Sequence, residues 1–252
     1  MKRGLMIGMA GALVVAGCSG GSKGSTDTDS TTPARSAGAG GPLPVNSGRL
    51  LAGTARPSFS SGTPGTIQVV ATGEIVDDPA GAYLPIAIRS NVAEPVGRVV
   101  VAATIQDATG KQIASGSSQG TDPQTLAPGE VALSFVHFEA SSVPGAAAHQ
   151  FTIENDKPST DPDSHATLKV ATAAVAGGAV TGTAANQTGA TLSGPYAVNV
   201  YCFDPGGKML VVQSAFANLD GDLAASKSVP YTVNLAGHTC PSFLVGVTAF
   251  YK

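Results

Sequence analysis

Tryptophan is absent from this chain of 252 residues, aromatic residues make up only 5% of it and charged residues only 12%. A core must therefore be filled by alanine, valine and other small or β-branched side chains, which suit packed strands better than bulky helical interfaces. The 14 lysines and arginines are scattered singly and the net charge is -3, so no basic face is offered to a phosphate backbone. Nucleic-acid binding is excluded on that ground. The apolar runs stay below the roughly 20 residues that a membrane-spanning helix needs. No stretch keeps a 3.6-residue period over three turns, which excludes the paired α/β lobes of a solute-binding protein. No G-x-S-x-G elbow, no H-E-x-x-H and no Gly-Lys-Ser/Thr phosphate loop is expected, so the common catalytic signatures are taken as missing.

What is there begins with an address. Met1-Lys2-Arg3 is positive, residues 4–17 are apolar or small, and the run ends in "VAGC" at 15–18. This is the pattern of a signal peptide, residues 1–17. Its end resembles a bacterial lipobox, with Val15, the small Ala16 and Gly17, and Cys18. The resemblance implies lipidation of Cys18 and an extracytoplasmic protein held to the bacterial cell membrane, the outer membrane if the organism has one. Two or more acyl chains anchor a protein stably where one does not. The alternative is an ordinary secretory signal whose cysteine is coincidental.

Residues 18–65 are rich in Gly, Ser, Thr, Ala and Pro without periodicity, and read as a flexible tether. About 45 such residues have a root-mean-square span of roughly 35 to 40 Å. Within it, "RLL" at 49–51 could dock on something, but a lone apolar pair in a linker usually has no role.

From residue 66 the pattern changes to short alternating strands punctuated by Gly, Pro, Asn and Asp. The pattern also repeats. At an offset of 97, Val101 meets Val198, Asp107 meets Asp204, Gly110 meets Gly207, Lys111 meets Lys208 and Leu126 meets Leu223. Two units follow, 66–155 and 167–252, joined by the turn-rich 156–166. Val99, Val101, Ala103 and Ile105 in the first, and Tyr196, Val198, Val200 and Cys202 in the second, share one strand face. The Asp-x-x-Gly sequences at 107–110 and 204–207 predict type I turns with a bulge. About seven short strands in some 90 residues predict an all-β protein of two tandem immunoglobulin-like sandwiches.

Each unit also resembles the FxLYD domain, a small β-sandwich module of bacterial envelope proteins. Its features are a G-x-x-x-N strand and a later strand ending in aromatic-Asp followed by an x-x-Gly-Lys turn. The second unit carries Gly182 with Asn186, then Val200-Tyr-Cys-Phe203-Asp204 and Gly207-Lys208. The first keeps Asn91, Asp107, Gly110 and Lys111, but Ala87 replaces the glycine, and Ala103 and Gln106 stand where larger apolar residues are expected. The resemblance implies a fold and a location, and brings no enzymatic activity with it.

Besides Cys18 there are two cysteines, Cys202 and Cys240. An even pair in an exported domain favours a disulfide. The repeat places Ile105 and Val143 at the corresponding positions of the first unit. Joint replacement of two cysteines by two apolar residues is the expected trace of two core positions in contact. Two unrelated thiols, or a two-thiol metal site beside His238, are the alternatives.

Of the four histidines, His137 lies on a strand, His149 and His238 lie near turns, and His165 lies in the interdomain segment. "NLDGD" at 218–222 and "DPD" at 161–163 resemble calcium-binding turns without the rest of a ligand set. "NQT" at 186–188 reads as a turn. The expected function is therefore a lipid-anchored, non-catalytic envelope module, structural, regulatory or binding, with an envelope protein or polysaccharide as partner and no metal or organic cofactor. The competing expectation is a hydrolase using His149 or His238 in a Ser/His/Asp site.

Overall fold

Alternation fixes the strands, and the strands close on one another. The computed structural model describes residues 41–219 and 221–252. Every regular element among them is a strand. In chain order these are β1 (Ala52–Gly53), β2 (Ile67–Thr72), β3 (Tyr83–Ser90), β4 (Val96–Gln106), β5 (Gln112–Ser118), β6 (Thr125–Leu126), β7 (Val131–Phe138) and β8 (Ala148–Asp156). They continue with β9 (His165–Ala176), β10 (Ala179–Ala185), β11 (Leu192–Phe203), β12 (Met209–Phe216), β13 (Ser228–Asn234) and β14 (Ser242–Tyr251).

Two seven-stranded antiparallel sheets result. One runs β2-β3-β7-β5-β4-β6 with β8 on β4, and the other β12-β11-β14-β9-β10-β13 with β1 on β14. The first is thus built from the first half of the chain and the second from the second half, with β1 added. The offset of 97 reappears as pairing. Strand β4 lies between β5 and β8 as β11 lies between β12 and β14. Likewise β3 lies between β2 and β7 as β10 lies between β9 and β13. The turns match in detail. Gly110 N donates to Asp107 O at 3.0 Å and Gly207 N to Asp204 O at 3.1 Å, both glycines at a φ of 84° that favours a residue without Cβ.

Each half closes over its own core. Val99, Val101, Ala103 and Ile105 are buried in one cluster, and Tyr196, Val198, Val200 and Cys202 in another. A disulfide joins Cys202 to Cys240, across a sequence separation of 38. Ile105 and Val143, their counterparts, are both buried in the first cluster. The G-x-x-x-N pair has a packing role in the second half. A side chain on Gly182 would strike the Tyr231 ring and the Thr172 carbonyl, and Tyr231 OH itself donates to that carbonyl at 2.8 Å. Asn186 is wholly buried, donates to the carbonyls of Ala190 and Leu223, and accepts from Thr188 N at 3.1 Å. "NQT" is therefore an Asx turn.

A third cluster was not anticipated. Ala87, Val131 and Leu133 of the first half meet Tyr201, Phe203, Met209, Val212 and Leu244 of the second, with Leu51 and Ala55 between them. Ala87, the departure from the expected glycine, belongs to this third core. Residues 43–64, expected as tether, are instead laid across both halves. Leu43 N donates to Gly129 O, Val170 N donates to Leu50 O, and β1 pairs with β14. The buried Arg89 guanidinium donates to the carbonyls of Leu43, Ser60 and Gly129. A polar stretch can be ordered in this way when its few apolar side chains find a cavity and its backbone finds partners. The "RLL" pair is that anchor, since Leu51 is 4% exposed. The segment 156–166 also shortens, because β8 runs to Asp156 and β9 begins at His165. The signal peptide and Cys18 lie outside the described residues.

Leu51→Ala should therefore lower stability by about 2–5 kcal/mol in urea titration, the cost of a large-to-small change in a core. A change below about 0.5 kcal/mol, the surface norm, would mean that the segment is not docked in solution. Replacing Cys202 and Cys240 together by alanine should cost up to about 4 kcal/mol by the chain-entropy estimate for the loop they close.

Candidate functional site

Strand β11 explains how the halves meet. Its inward residues fill the second core. Its outward row, Pro195, Ala197, Asn199, Tyr201 and Phe203, goes from solvent to full burial along the strand. The outer face of the β12-β11-β14 sheet is thus half covered by the first half of the chain and half open.

Asp122 stands at the dividing line. It is fully buried, and its Oδ2 accepts from Asn199 Nδ2 at 2.8 Å and from Tyr201 OH at 2.7 Å. Its backbone is fixed to Leu133 of β7 by a reciprocal pair of hydrogen bonds. Room for the carboxyl comes from Gly246 on β14, the register partner of Asn199, where a Cβ would fall 2.2 Å from Asp122 Cγ. Asp122 Oδ1 has no hydrogen-bond partner among the described residues. Burial pushes the Asp122 pKa up to about 6, against the two hydrogen bonds that favour its ionised form. Burial and the adjacent carboxylate hold the Tyr201 phenol well above its usual value. Gln124 N donating to Thr167 Oγ1, Gln213 donating to Tyr83 OH and the exposed Lys208–Glu74 ion pair are further polar links between the halves.

Beyond Asp122 the open half of the face floors a cleft of about 490 Å³. Ala197, Thr248, Phe216 and Phe250 belong to the second half, and Gln119, Gly120, Gln124 and Phe135 to the first. Among the described residues no lysine, arginine, aspartate or glutamate lines it. Phe250 packs edge-on against His165 with centroids 4.8 Å apart, and His165 Nδ1 lies 3.2 Å from Gln124 Oε1. The His165 pKa is lowered, first by burial and then by Arg98. A second cleft of about 300 Å³, with Arg98, Asp156 and Lys157 in its lining, shares Gln124 and His165 with the first. His165 thus belongs to β9 and to the site, and not to a linker.

The other histidines stay apart from one another. His137 Nε2 lies 3.2 Å from Ala80 O, His149 leans on Phe151, and His238 sits in the turn after β13. Among the described residues neither His149 nor His238 hydrogen-bonds through its ring to a serine or a carboxylate, so the geometry of a Ser/His/Asp site is not assembled around them. The letters G-x-S-x-G do occur, at Gly116–Gly120, but Ser118 ends a strand, is 4% exposed and accepts Val101 N–H at 2.9 Å. That serine is structural. Among the described residues no group of three or more His, Cys, Asp or Glu could hold a metal ion. Asp222 of "NLDGD" pairs with Lys252 instead, and Asp220 lies outside the described residues. No helix among the described residues is long and apolar enough to cross a membrane.

No motif contains Asp122 or Asn199, and Tyr201 falls in the FxLYD-like stretch 200–204 without a role assigned to it there. A signal was nevertheless present: "VYCF" at 200–203 is apolar on both strand faces where the first unit has "ATIQ" at 103–106. A strand apolar on both faces is buried on both. The chain matches no family model and no curated protein.

The Asp122 pKa gives a pH test. Its folded value lies above the ordinary 3.8, so folding favours the protonated carboxyl. That contribution is fully present below about pH 4 and is lost as pH rises through about 6, a change on the order of 3 kcal/mol. Asp122→Asn, which cannot ionise, should flatten the dependence of melting temperature on pH between 4 and 7. Parallel wild-type and variant profiles would show that Asp122 ionises in the folded protein without cost.

Proposed function

We propose that this chain is a lipid-anchored, non-catalytic protein of the bacterial cell envelope, in which two tandem immunoglobulin-like, FxLYD-like sandwiches act as one accessory module for binding or support. The observation that carries this reading is the interdomain core with its bordering cleft. Two repeats held in one arrangement by Leu51, Tyr201 and Asp122 offer a composite surface that neither repeat has alone.

Several features support the parts of the proposal. Corresponding strands pair alike in the two halves, and Asp107 and Asp204 make the same turn, as tandem copies of one module would. The buried Asn186, the cramped Gly182 and the Asp204–Lys208 turn give the FxLYD-like residues of the second half structural roles. A disulfide is in keeping with an oxidising, extracytoplasmic site. "VAGC" at 15–18 supports anchoring through Cys18. Since the ordered segment is already docked at Leu43, at most about 25 residues separate it from Cys18, a reach of no more than roughly 90 Å. The module would stand within that distance of the membrane.

The test is fractionation of a bacterium that processes lipoproteins. Wild-type protein should be found with membranes, and Cys18→Ala should leave an unprocessed precursor or release the protein. Membrane association that survives the substitution unchanged would remove the lipid anchor from this reading. Cross-linking on intact cells would then identify what the composite surface meets.

A further inference from the structure

The cleft beside Asp122 has an unusual lining for its size. Its volume of about 490 Å³ lies within the range of small-molecule sites, about 300–1,000 Å³. Its walls combine phenylalanine rings with neutral amides and hydroxyls. Three chemistries of ligand are disfavoured by that lining. Among the described residues an anion finds no lysine or arginine there, and a cation finds no carboxylate, because Asp122 is buried behind Asn199 and Tyr201. An acyl chain would cover Gln119, Thr248 and the Gln124 amide nitrogen, none of which has a side-chain hydrogen bond among the described residues, and each left unpaired costs about 1–3 kcal/mol. An extended peptide adding to the floor is also disfavoured. Strand β11 is flanked by β12 and β14, and β14 by β11 and β9, so the backbone of those two strands is already engaged and a peptide finds an edge only at β12.

What remains is an uncharged ligand with hydroxyl or amide groups around an apolar face, which is the chemistry of a sugar ring. We infer that the cleft is a binding site for a neutral oligosaccharide, with Phe216 and Phe250 as ring-facing surfaces and Thr248, Gln119 and Gln124 as hydrogen-bonding partners. Phe216 is 66% exposed at the rim, and Phe250 is held in place by its edge contact with His165. The negative face of a phenylalanine ring attracts the positive C–H edge of a sugar. The amides and hydroxyls fix orientation. The second cleft shares Gln124 and His165 with the first and carries Arg98, Asp156 and Lys157, so the uncharged lining extends only as far as those two shared residues. Both halves of the protein contribute, so the site exists only when the interdomain core is formed.

This inference deepens the envelope-binding reading and rests on it for the choice of ligand. The test is saturation-transfer NMR on the mature chain carrying Cys18→Ser, with two uncharged probes, a β-1,4-linked N-acetylglucosamine tetramer and an α-1,4-linked glucose hexamer, and with palmitate as comparison. At least one oligosaccharide should receive saturation at its ring protons. Phe216→Ala and Thr248→Val, both outside the cores, should each weaken that binding tenfold or more without moving the melting temperature. No transfer to either oligosaccharide at millimolar concentration would overturn the inference. So would binding unchanged in both variants, or palmitate binding that Phe216→Ala abolishes. The two readings fail separately: lost Cys18 dependence with intact sugar binding removes the anchor, and absent sugar binding with Cys18-dependent anchoring removes only this site.

Discussion

The packing of Tyr201, Phe203 and Leu244 against Ala87, Val131 and Leu133, sealed by Leu51 and Ala55, is the constraint on which the rest of the structure depends. Each half of the chain has a core of its own, and the third cluster joins the two. With it, one outer sheet face is divided into a buried part and an open part. The segment 43–64 belongs to the same arrangement. It is not a spacer but a strap, whose backbone reaches Gly129 in one half and Val170 and Phe243 in the other. A large interface core is what distinguishes a fixed pair of domains from two that move independently.

Asp122 makes the interface specific as well as adhesive. Apolar surfaces slide on one another at little cost, whereas a buried carboxyl that must find Asn199, Tyr201 and the gap over Gly246 accepts one register. Its burial is unfavourable to the charge and is only partly offset by two donors, which is why its pKa rises. Polar groups in cores are retained for specificity in some proteins at a cost in stability, and the Asp122 cluster has the geometry for that role.

The two repeats solved one packing problem in two ways and then diverged on the outside. Inside, a bond between Cys202 and Cys240 stands where Ile105 and Val143 are buried without one. A cross-link acts chiefly by restricting the unfolded chain, and apolar burial acts by lowering the folded state. Outside, Ala102, Thr104 and Gln106 of β4 correspond to Asn199, Tyr201 and Phe203 of β11. The second copy gained aromatic area on a face the first left polar, and that asymmetry lets a tandem pair bury one sheet face instead of none.

The sequence by itself determined the strand-rich class, the repeat, the inward faces of β4 and β11, the Asp-x-x-Gly turns and the pairing of Cys202 with Cys240. Each is legible because it depends on local periodicity, on a turn residue, or on comparison of one copy with the other. Tertiary structure alone decided that residues 43–64 are docked, that His165 lines a cleft, and that Asp122 is buried against Tyr201. Those outcomes depend on contacts between residues from about 40 to 193 positions apart, such as Ala52 with Val245, and nothing in the local composition of a Gly/Ser/Pro-rich stretch or a lone Asp-Pro distinguishes a docked segment from a free one. Apolar residues on both faces of "VYCF" did record that a second surface was to be covered. Which surface covers it was settled only by the shape and polarity of the other half, because burial is non-directional and becomes specific through packing and hydrogen bonds.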